Sequence, residues 1–323
     1  NLIPNVTWAD VGGLSHVRDA LHYALTLPLQ HDLPPAGVLF YGPPGTGKTL
    51  VAKAVATEYS LPFISVKGPE LLGSYVGESE ANVRQVFQRA RGVVRRACGE
   101  TQQQQQYPGA ILFFDEIDSL APRRGEGGGV ADRVVTSLFG ELDKCREECG
   151  RGGGGGVFVM GATNRPDLLD GGLLRPGRLS RKVYLGVAAT DDERGRILTA
   201  AVRQFKMEDG VDLQKVVRGF RANLTGADLA SVASGALMRA LRRKCEQVEK
   251  VAEERKRMNF GDCHSGKDSN IVEVILDEWS LSNNLEPVVT EEDLIESGKE
   301  VQPSVGEEDL MRYELLRQRF GGS

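Results

Sequence analysis

The sequence lacks the features of several protein classes. No run of about 18 apolar residues occurs in its 323 residues, so no membrane-spanning helix is predicted. The net charge of −5 gives no basic excess that would favour nucleic acid or an anionic membrane. The five cysteines show no C-x-x-C spacing, which predicts free thiols in a reducing compartment. The four histidines form no H-E-x-x-H motif, so a zinc protease is unsupported. Because the chain starts at Asn1 without Met, we expect a fragment from which a targeting segment could be missing.

A glycine-rich motif is present near the start of the chain. Residues 42–49 read GPPGTGKT, which matches G-x-x-x-x-G-K-[ST] between a predicted strand at 38–41 and a predicted helix at 48–59. The glycines let backbone N–H groups turn toward an anion, and the helix N-terminus favours negative charge. We therefore predict that Lys48 contacts the β- and γ-phosphates of ATP and that Thr49 ligates Mg²⁺. The other predicted nucleotide contacts are Pro44, Gly45, Thr46 and Gly47 in this motif, and Leu50 directly after it.

Two carboxylates follow a second apolar strand. Residues 111–114 read ILFF, too short a run for a helix and typical of a central parallel strand, and Asp115 and Glu116 come next. In a parallel sheet, ligands bind at the carboxyl ends of the strands. Asp115 is predicted to hold the Mg²⁺ shell, directly or through water, and Glu116 to be the general base for the attacking water.

The alternation of strands and helices predicts an α/β fold. Strands are expected at 38–41, 63–66, 110–114, 157–161 and 183–186, and helices between them at 48–59, 79–96 and 131–145. This alternation predicts a parallel sheet with helices on both faces, as in P-loop NTPases. We assign it to a large α/β subdomain at 1–188.

A second region follows, in which strand patterns stop. Helices are expected at 191–204, 225–249, 290–298 and 306–319, which predicts a small all-helical subdomain at 189–323. Three polar segments are predicted to be surface insertions because they lack apolar residues that could pack: a glutamine run, a glycine run and a long charged stretch, at 102–106, 152–156 and 250–283.

Four motifs, taken together, carry a family resemblance. They are WADVGGL at 8–14, GATNRPD at 161–167, LRPGR at 174–178 and LTGAD at 224–228. In this order they resemble an AAA-type ATPase module, the motor unit of hexameric unfoldases, over nearly the whole chain. The resemblance implies that the helical subdomain at 189–323 is a lid on the nucleotide site. It also implies that Val11 and Gly12 cup the adenine and that Gly226 and Ala227 in the lid approach it closely.

The same resemblance implies three further catalytic residues. Asn164 follows the strand beside Asp115 and Glu116, where an amide can orient the attacking water and sense the γ-phosphate. Arg175 and Arg178 would project into the nucleotide of the neighbouring subunit, where a planar guanidinium suits a phosphoryl transition state. The alternative for both arginines is a surface salt bridge.

Residues 67–80 resemble the central pore loop of this family. Tyr75, Val76 and Gly77 match its aromatic, hydrophobic and glycine tip. An exposed aromatic beside a flexible glycine can grip an extended protein substrate without reading its sequence. The alternative is a tyrosine buried at a helix entrance.

Three other stretches, at 61–70, 113–116 and 301–313, resemble the second ATPase domain of AAA proteins of peroxisome biogenesis. This implies a hetero-hexameric ring with a related AAA subunit of the peroxisome biogenesis factor 1 type. It also implies a membrane anchor protein, a protein substrate threaded through the pore, and a cytoplasmic location at the peroxisomal membrane. ATP hydrolysis would extract an import receptor.

The alternatives are a ring unfoldase of the cell-division-cycle or membrane-fusion type, and a nucleotide-gated scaffold without turnover. A nucleic-acid remodeller is disfavoured by the net charge.

Overall fold

The computed structural model describes residues 3–30, 36–75, 77–100, 109–123, 128–149, 156–259 and 286–321. Val76, residues 102–106 and 152–155, and most of the predicted insertion at 250–283 lie outside these ranges. Within the described ranges, no helix combines the length and the apolar content needed to cross a membrane. The chain forms two compact units, one comprising Asn1–Ala188 with Ser304–Ser323, and the other Ala189–Pro303.

The first unit is built on a five-stranded parallel sheet, which confirms the predicted fold class. Its strands, in the spatial order β2-β3-β4-β1-β5, are β1 (Val38–Tyr41), β2 (Phe63–Lys67), β3 (Gly109–Asp115), β4 (Gly156–Thr163) and β5 (Arg181–Tyr184). Its helices are α1 (Ser15–Gln30), α2 (Lys48–Glu58), α3 (Glu78–Glu100) and α4 (Gly128–Cys149). Helix α1 has no counterpart in our sequence prediction.

Apolar side chains of the central strands pack on both faces of the sheet. Along β3, Leu112 and Phe114 belong to the core that also contains the buried residues of α3 and α4. Ile111 and Phe113 belong to the core on the opposite face, with α1 and α2. Successive side chains of a strand point to opposite faces, so a continuous apolar run is the pattern of a strand covered on both sides.

The last helix of the first unit comes from the C-terminus of the chain. Our sequence division placed residues 304–323 in the helical lid, but in the structure they pack with the first unit. The anchoring residues are Tyr313 and Leu316, which are buried, and Phe320, whose ring centroid lies 5.9 Å from that of Tyr41 in β1. The apolar face of this helix, Glu307–Phe320, therefore completes the first unit.

The second unit is mainly helical. It contains α5 (Asp191–Val202), α6 (Leu213–Arg218), α7 (Gly226–Asn259) and α8 (Glu291–Glu300), and we number the C-terminal helix α9. The prediction of an all-helical unit was wrong in one detail, because β6 (Lys206–Met207) and β7 (Val288–Val289) form a short parallel pair. Helix α7 also continues ten residues into the predicted insertion, where Lys, Glu and Arg are good helix formers and Ala252 is buried.

Candidate functional site

The loop after β1 adopts backbone conformations that glycine alone adopts readily. Gly42, Gly45 and Gly47 have φ angles of 146°, 75° and 84°. A Cβ at Gly42 would also overlap the carbonyl oxygen of Leu185. Gly47 is the left-handed N-cap of α2, so the helix begins at Lys48 with its N-terminal dipole at the loop. This is the backbone geometry of an anion site, and Pro44, Gly45 and Leu50 are exposed there.

Lys48 lies buried inside the loop. Its Nζ donates hydrogen bonds to the carbonyl oxygens of Gly42 at 3.1 Å and Pro43 at 2.7 Å, and it lies 3.5 Å from the hydroxyl of the buried Thr46. Burial lowers the pKa of Lys48 to about 8, against an opposing effect of the Asp115 carboxylate. The ammonium group is therefore still charged near pH 7. Among the described residues, its hydrogen-bond partners are two loop carbonyls and one hydroxyl. A phosphate group would be a stronger partner.

The predicted metal ligands meet at the same edge of the sheet. Thr49 Oγ1 donates a hydrogen bond of 3.0 Å to Oδ2 of Asp115, although the two residues are 66 positions apart. The other oxygen, Oδ1, accepts a 3.1 Å hydrogen bond from the backbone N–H of Glu116. A hydroxyl and a carboxylate are hard oxygen donors that fit Mg²⁺, and they lie beside the loop that fits phosphates.

Glu116 has a left-handed backbone conformation, which is unusual for a residue with a side chain. Its φ and ψ are 51° and 47°, and its side chain is exposed. The hydroxyl and N–H of Ser119 both donate to its carbonyl, at 2.8 and 3.1 Å. Gly68 approaches so closely that a Cβ there would overlap that carbonyl and the Ser119 hydroxyl. Such strained residues cluster at active sites.

Asn164 follows β4, which lies between β3 and β1 in the sheet. The loop after β1, the two acids at the end of β3 and Asn164 after β4 therefore all stand at the carboxyl edge, where the sequence predicted them. Just before Asn164, Thr163 donates a 2.6 Å hydrogen bond to Asp118 in the turn that follows Glu116. Sequence reasoning missed Asp118, although it is only two residues from Glu116.

The two arginines of the LRPGR motif have different surroundings. Arg175 is exposed, and its side chain has no partner among the described residues. Arg178 forms a bidentate pair with Asp143 of α4 at 2.9 and 2.8 Å, and it donates to the carbonyl of Gly172. Its guanidinium also lies 4.1 Å from the ring centroid of Phe139. Arg178 therefore has the salt bridge that we considered as its alternative role, whereas Arg175 is free to meet another molecule.

The predicted pore-loop tip stands out from the surface. Tyr75 is 80% exposed, which removes the alternative of a buried tyrosine. Its backbone N–H donates to Glu78 Oε2 at 3.2 Å at the start of α3, and Gly77 has a φ of 85°. An exposed aromatic ring on a turn that is tied to a helix is suited to contact an extended chain.

The remaining predicted nucleotide contacts lie in two separate segments. Val11 and Gly12 are half-buried and follow Trp8, which donates a hydrogen bond from its indole to the Glu58 carboxylate at the end of α2. Gly226 and Ala227 begin α7 in the second unit. There Thr225 and Asp228, both buried, form a reciprocal cap at 2.8 and 3.2 Å. Each segment is thus anchored within its own unit.

Comparisons with known proteins give two family matches and a set of similar relatives. Residues 38–187 match the ATPase family associated with various cellular activities (AAA), and residues 263–321 match the Vps4 C terminal oligomerisation domain. The chain is 46% identical to the Peroxisomal ATPase PEX6 of Neurospora crassa, across 99% of this chain and 22% of that protein. Identity to the Candida glabrata PEX6 is 42%, across 99% of this chain and 30% of that protein. For the Schizosaccharomyces pombe pex6 it is 42%, across 98% and 32%. The chain thus spans less than a third of each relative.

Proposed function

We propose that this chain, whose residues 38–187 match the AAA ATPase family, is the ATP-hydrolysing motor domain of a ring that remodels proteins in peroxisome biogenesis. The observation that carries the ATPase proposal is the hydrogen bond between Thr49 and Asp115. It brings two oxygen ligands together beside the buried Lys48, at the edge where Glu116 also stands. A phosphate site alone would explain nucleotide binding, but an adjacent metal site with a carboxylate base supports hydrolysis.

Each residue has a defined task in this proposal. The N–H groups of the loop and Lys48 would bind the phosphates of ATP, and Thr49 and Asp115 would hold Mg²⁺. When bound, the metal ion neutralises charge that develops on the phosphate oxygens. Glu116 would take a proton from the attacking water onto its carboxylate, and Asn164 would orient that water.

The second part of the proposal is that hydrolysis takes place between subunits of a ring. Arg175 is exposed and unpartnered among the described residues, so it can reach the γ-phosphate of a neighbour without losing a contact. Arg178 would reach it only after leaving Asp143. Tyr75 and Val76 would grip the protein substrate in the pore. The match to a C-terminal oligomerisation domain supports assembly.

The third part is the biological role, and it rests on the relatives named Peroxisomal ATPase. We infer a hetero-hexamer with a related AAA subunit of the peroxisome biogenesis factor 1 type, held by an anchor protein at the cytosolic face of the peroxisomal membrane. The ring would extract an import receptor by threading it through the pore.

Glu116→Gln in the full-length protein, assembled with its partner subunit, tests the ATPase proposal. The amide cannot accept a proton, so turnover should fall by at least about 10²-fold, the usual contribution of a general base. Nucleotide affinity should be retained, because Lys48, Thr49 and Asp115 are unchanged. Lys48→Ala should instead lose affinity in equilibrium binding.

The exposed Glu246 of α7 offers a matched control. Glu246→Gln makes the same chemical change outside the site and should leave turnover unchanged. If the wild-type ring binds ATP without turnover, or Glu116→Gln turns over normally, the nucleotide-gated scaffold is the better description.

A further inference from the structure

The C-terminal helix α9 contacts the segment that carries Asn164. The hydroxyl of Tyr313 donates a 2.8 Å hydrogen bond to the backbone carbonyl of Asn164, although the two residues are 149 positions apart. The preceding residue, Arg312, forms a 3.0 Å ion pair with Asp167. Two adjacent residues of one helix thus hold both ends of the segment 164–167.

This segment is also tied to the general-base turn. Thr163 donates to Asp118 at 2.6 Å, and its hydroxyl oxygen accepts a 2.9 Å hydrogen bond from the N–H of Arg165. Asp118 belongs to the turn at Ile117–Ser119, which follows directly on Glu116. Continuous hydrogen bonds therefore run from α9 to the Asn164 segment and on to the Glu116 turn.

Tyr313 is 8% exposed and burial raises the pKa of its hydroxyl, which therefore stays protonated and able to donate.

The far end of α9 has a separate attachment. Lys182 Nζ in β5 donates to the carbonyl of Phe320 at 2.9 Å, and the ring of Phe320 packs against Tyr41. The guanidinium of Arg317 lies 5.4 Å from the ring centroid of Tyr184. Because these contacts do not involve Tyr313, removal of its hydroxyl alone should leave the helix docked.

We propose that Tyr313 is a positioning residue for ATP hydrolysis, which fixes the carbonyl of Asn164 and through it the direction of the Asn164 amide. The inference rests on the proposed ATPase function. The hydroxyl of Tyr313 would not touch ATP or water. It would restrict the rotation of the peptide unit that follows the Asn164 Cα, and the side-chain amide attached to that Cα would then hold the attacking water in line more often. Hydrolysis in this domain therefore depends on the docking of its own C-terminal helix.

The test is Tyr313→Phe in the full-length protein, assembled with its partner subunit. The change deletes one hydroxyl and keeps the ring, so kcat should fall by about three- to tenfold, on the order of one hydrogen bond. KM for ATP and the melting temperature should change little. Tyr184→Phe is the matched control, because the Tyr184 hydroxyl has no hydrogen-bond partner among the described residues, and kcat should stay at the wild-type value.

A double-mutant cycle separates positioning from a merely structural role. In an Asn164→Ala background, where no amide remains to be oriented, Tyr313→Phe should cause no further loss in the single-turnover rate. An equal loss in both backgrounds, or a kcat unchanged by Tyr313→Phe alone, overturns the inference. Arg312→Gln is a second variant for this test, because it removes the ion pair with Asp167 and leaves Tyr313 intact. The loss of rate that it causes should also vanish in the Asn164→Ala background.

Failure of the proposed function has a different signature. A wild-type ring without turnover, or with normal turnover in Glu116→Gln, rejects the ATPase itself. A silent Tyr313→Phe in a ring that does depend on Glu116 rejects this inference alone.

Discussion

Replacing Arg178 with Ala should destabilise the isolated chain, whereas replacing Arg175 with Ala should not. The side chain of Arg178 is 18% exposed and gives three hydrogen bonds, two to Asp143 and one to the carbonyl of Gly172. It also covers the ring of Phe139. Arg175 has none of these contacts among the described residues. Both arginines belong to the same LRPGR motif. A difference in the stability of the two variants as isolated chains therefore reports contacts within the chain and not contacts with a neighbouring subunit.

The magnitude follows from the contacts that are lost. A hydrogen bond to a charged group contributes about 1.5–3 kcal/mol, and a cation–π contact about 0.5–1 kcal/mol at an exposed site. Asp143 is 50% exposed, so solvent screening reduces the ion-pair part. We expect Arg178→Ala to lower the free energy of unfolding by about 2 kcal/mol. In a unit of this size, that corresponds to a melting temperature lower by about 4–8 °C.

The same pair predicts a dependence on pH. The hydrogen bond from Arg178 holds the pKa of Asp143 below its ordinary value of 3.8. The folded state therefore binds protons less readily, so the stability of the pair is present above about pH 4 and is lost as the pH falls through the folded pKa. The difference in stability between wild type and Arg178→Ala should accordingly shrink in acid.

Thermal unfolding of four chains checks this prediction: wild type, Arg178→Ala, Arg175→Ala and Asp143→Asn. We expect a clear loss of stability for Arg178→Ala, a smaller one for Asp143→Asn, and none for Arg175→Ala. In the assembled ring, Arg175→Ala should reduce ATPase by about 10³-fold, as for other arginine fingers. Wild-type stability in Arg178→Ala would refute the reasoning, because a side chain with these contacts cannot be removed without cost.

Two further predictions address neighbouring loops. Tyr75→Ala should leave basal ATPase within a few-fold and abolish unfolding of a fluorescent substrate by the complete ring, while Tyr75→Phe should retain unfolding, because the ring is exposed and its bulk provides the grip. Wild-type unfolding by Tyr75→Ala would reject a pore-loop role. Gly68→Ala should lower turnover and stability, the latter by about 1–3 kcal/mol, because its Cβ would overlap the Glu116 carbonyl. Turnover and melting temperature measure these effects, and unchanged values of both would contradict the close approach.

The strands and the loop after β1 could be predicted because their determinants are local. Four apolar residues before GPPGTGKT fix β1, and ILFF before Asp115 fixes most of β3. In a parallel sheet, ligands bind at the carboxyl edge of the strands. This rule predicts that Thr49 and Asp115 lie close together, even where the strand order is not known. The structure supplies that order, and β4 lies between β1 and β3.

The place of α9 could not be predicted in the same way. The sequence pattern of α9 shows which side of the helix is apolar, but it does not show which element that side packs against. The helix also follows others along the chain that belong to the second unit. The contact of Tyr313 with Asn164 joins residues 149 positions apart, and that of Arg178 with Asp143 joins residues 35 apart. No sequence period links such pairs. The helical residues 250–259 were missed for another reason, because a charge-rich segment can be a helix as well as a loop.

Glu116 shows how chemistry can override local preference. Its left-handed conformation would suit Gly or Asn better, and a residue with a larger side chain there costs on the order of 1–2 kcal/mol. Asn would relieve part of that cost, but its amide cannot accept a proton from water. The surroundings maintain the strained state, since Gly68 leaves room for the Glu116 carbonyl and Ser119 donates two hydrogen bonds to it. A carboxylate kept at this energetic cost, next to the Thr49–Asp115 pair, supports the proposed role of Glu116 as general base, because a purely structural turn would have no need of it.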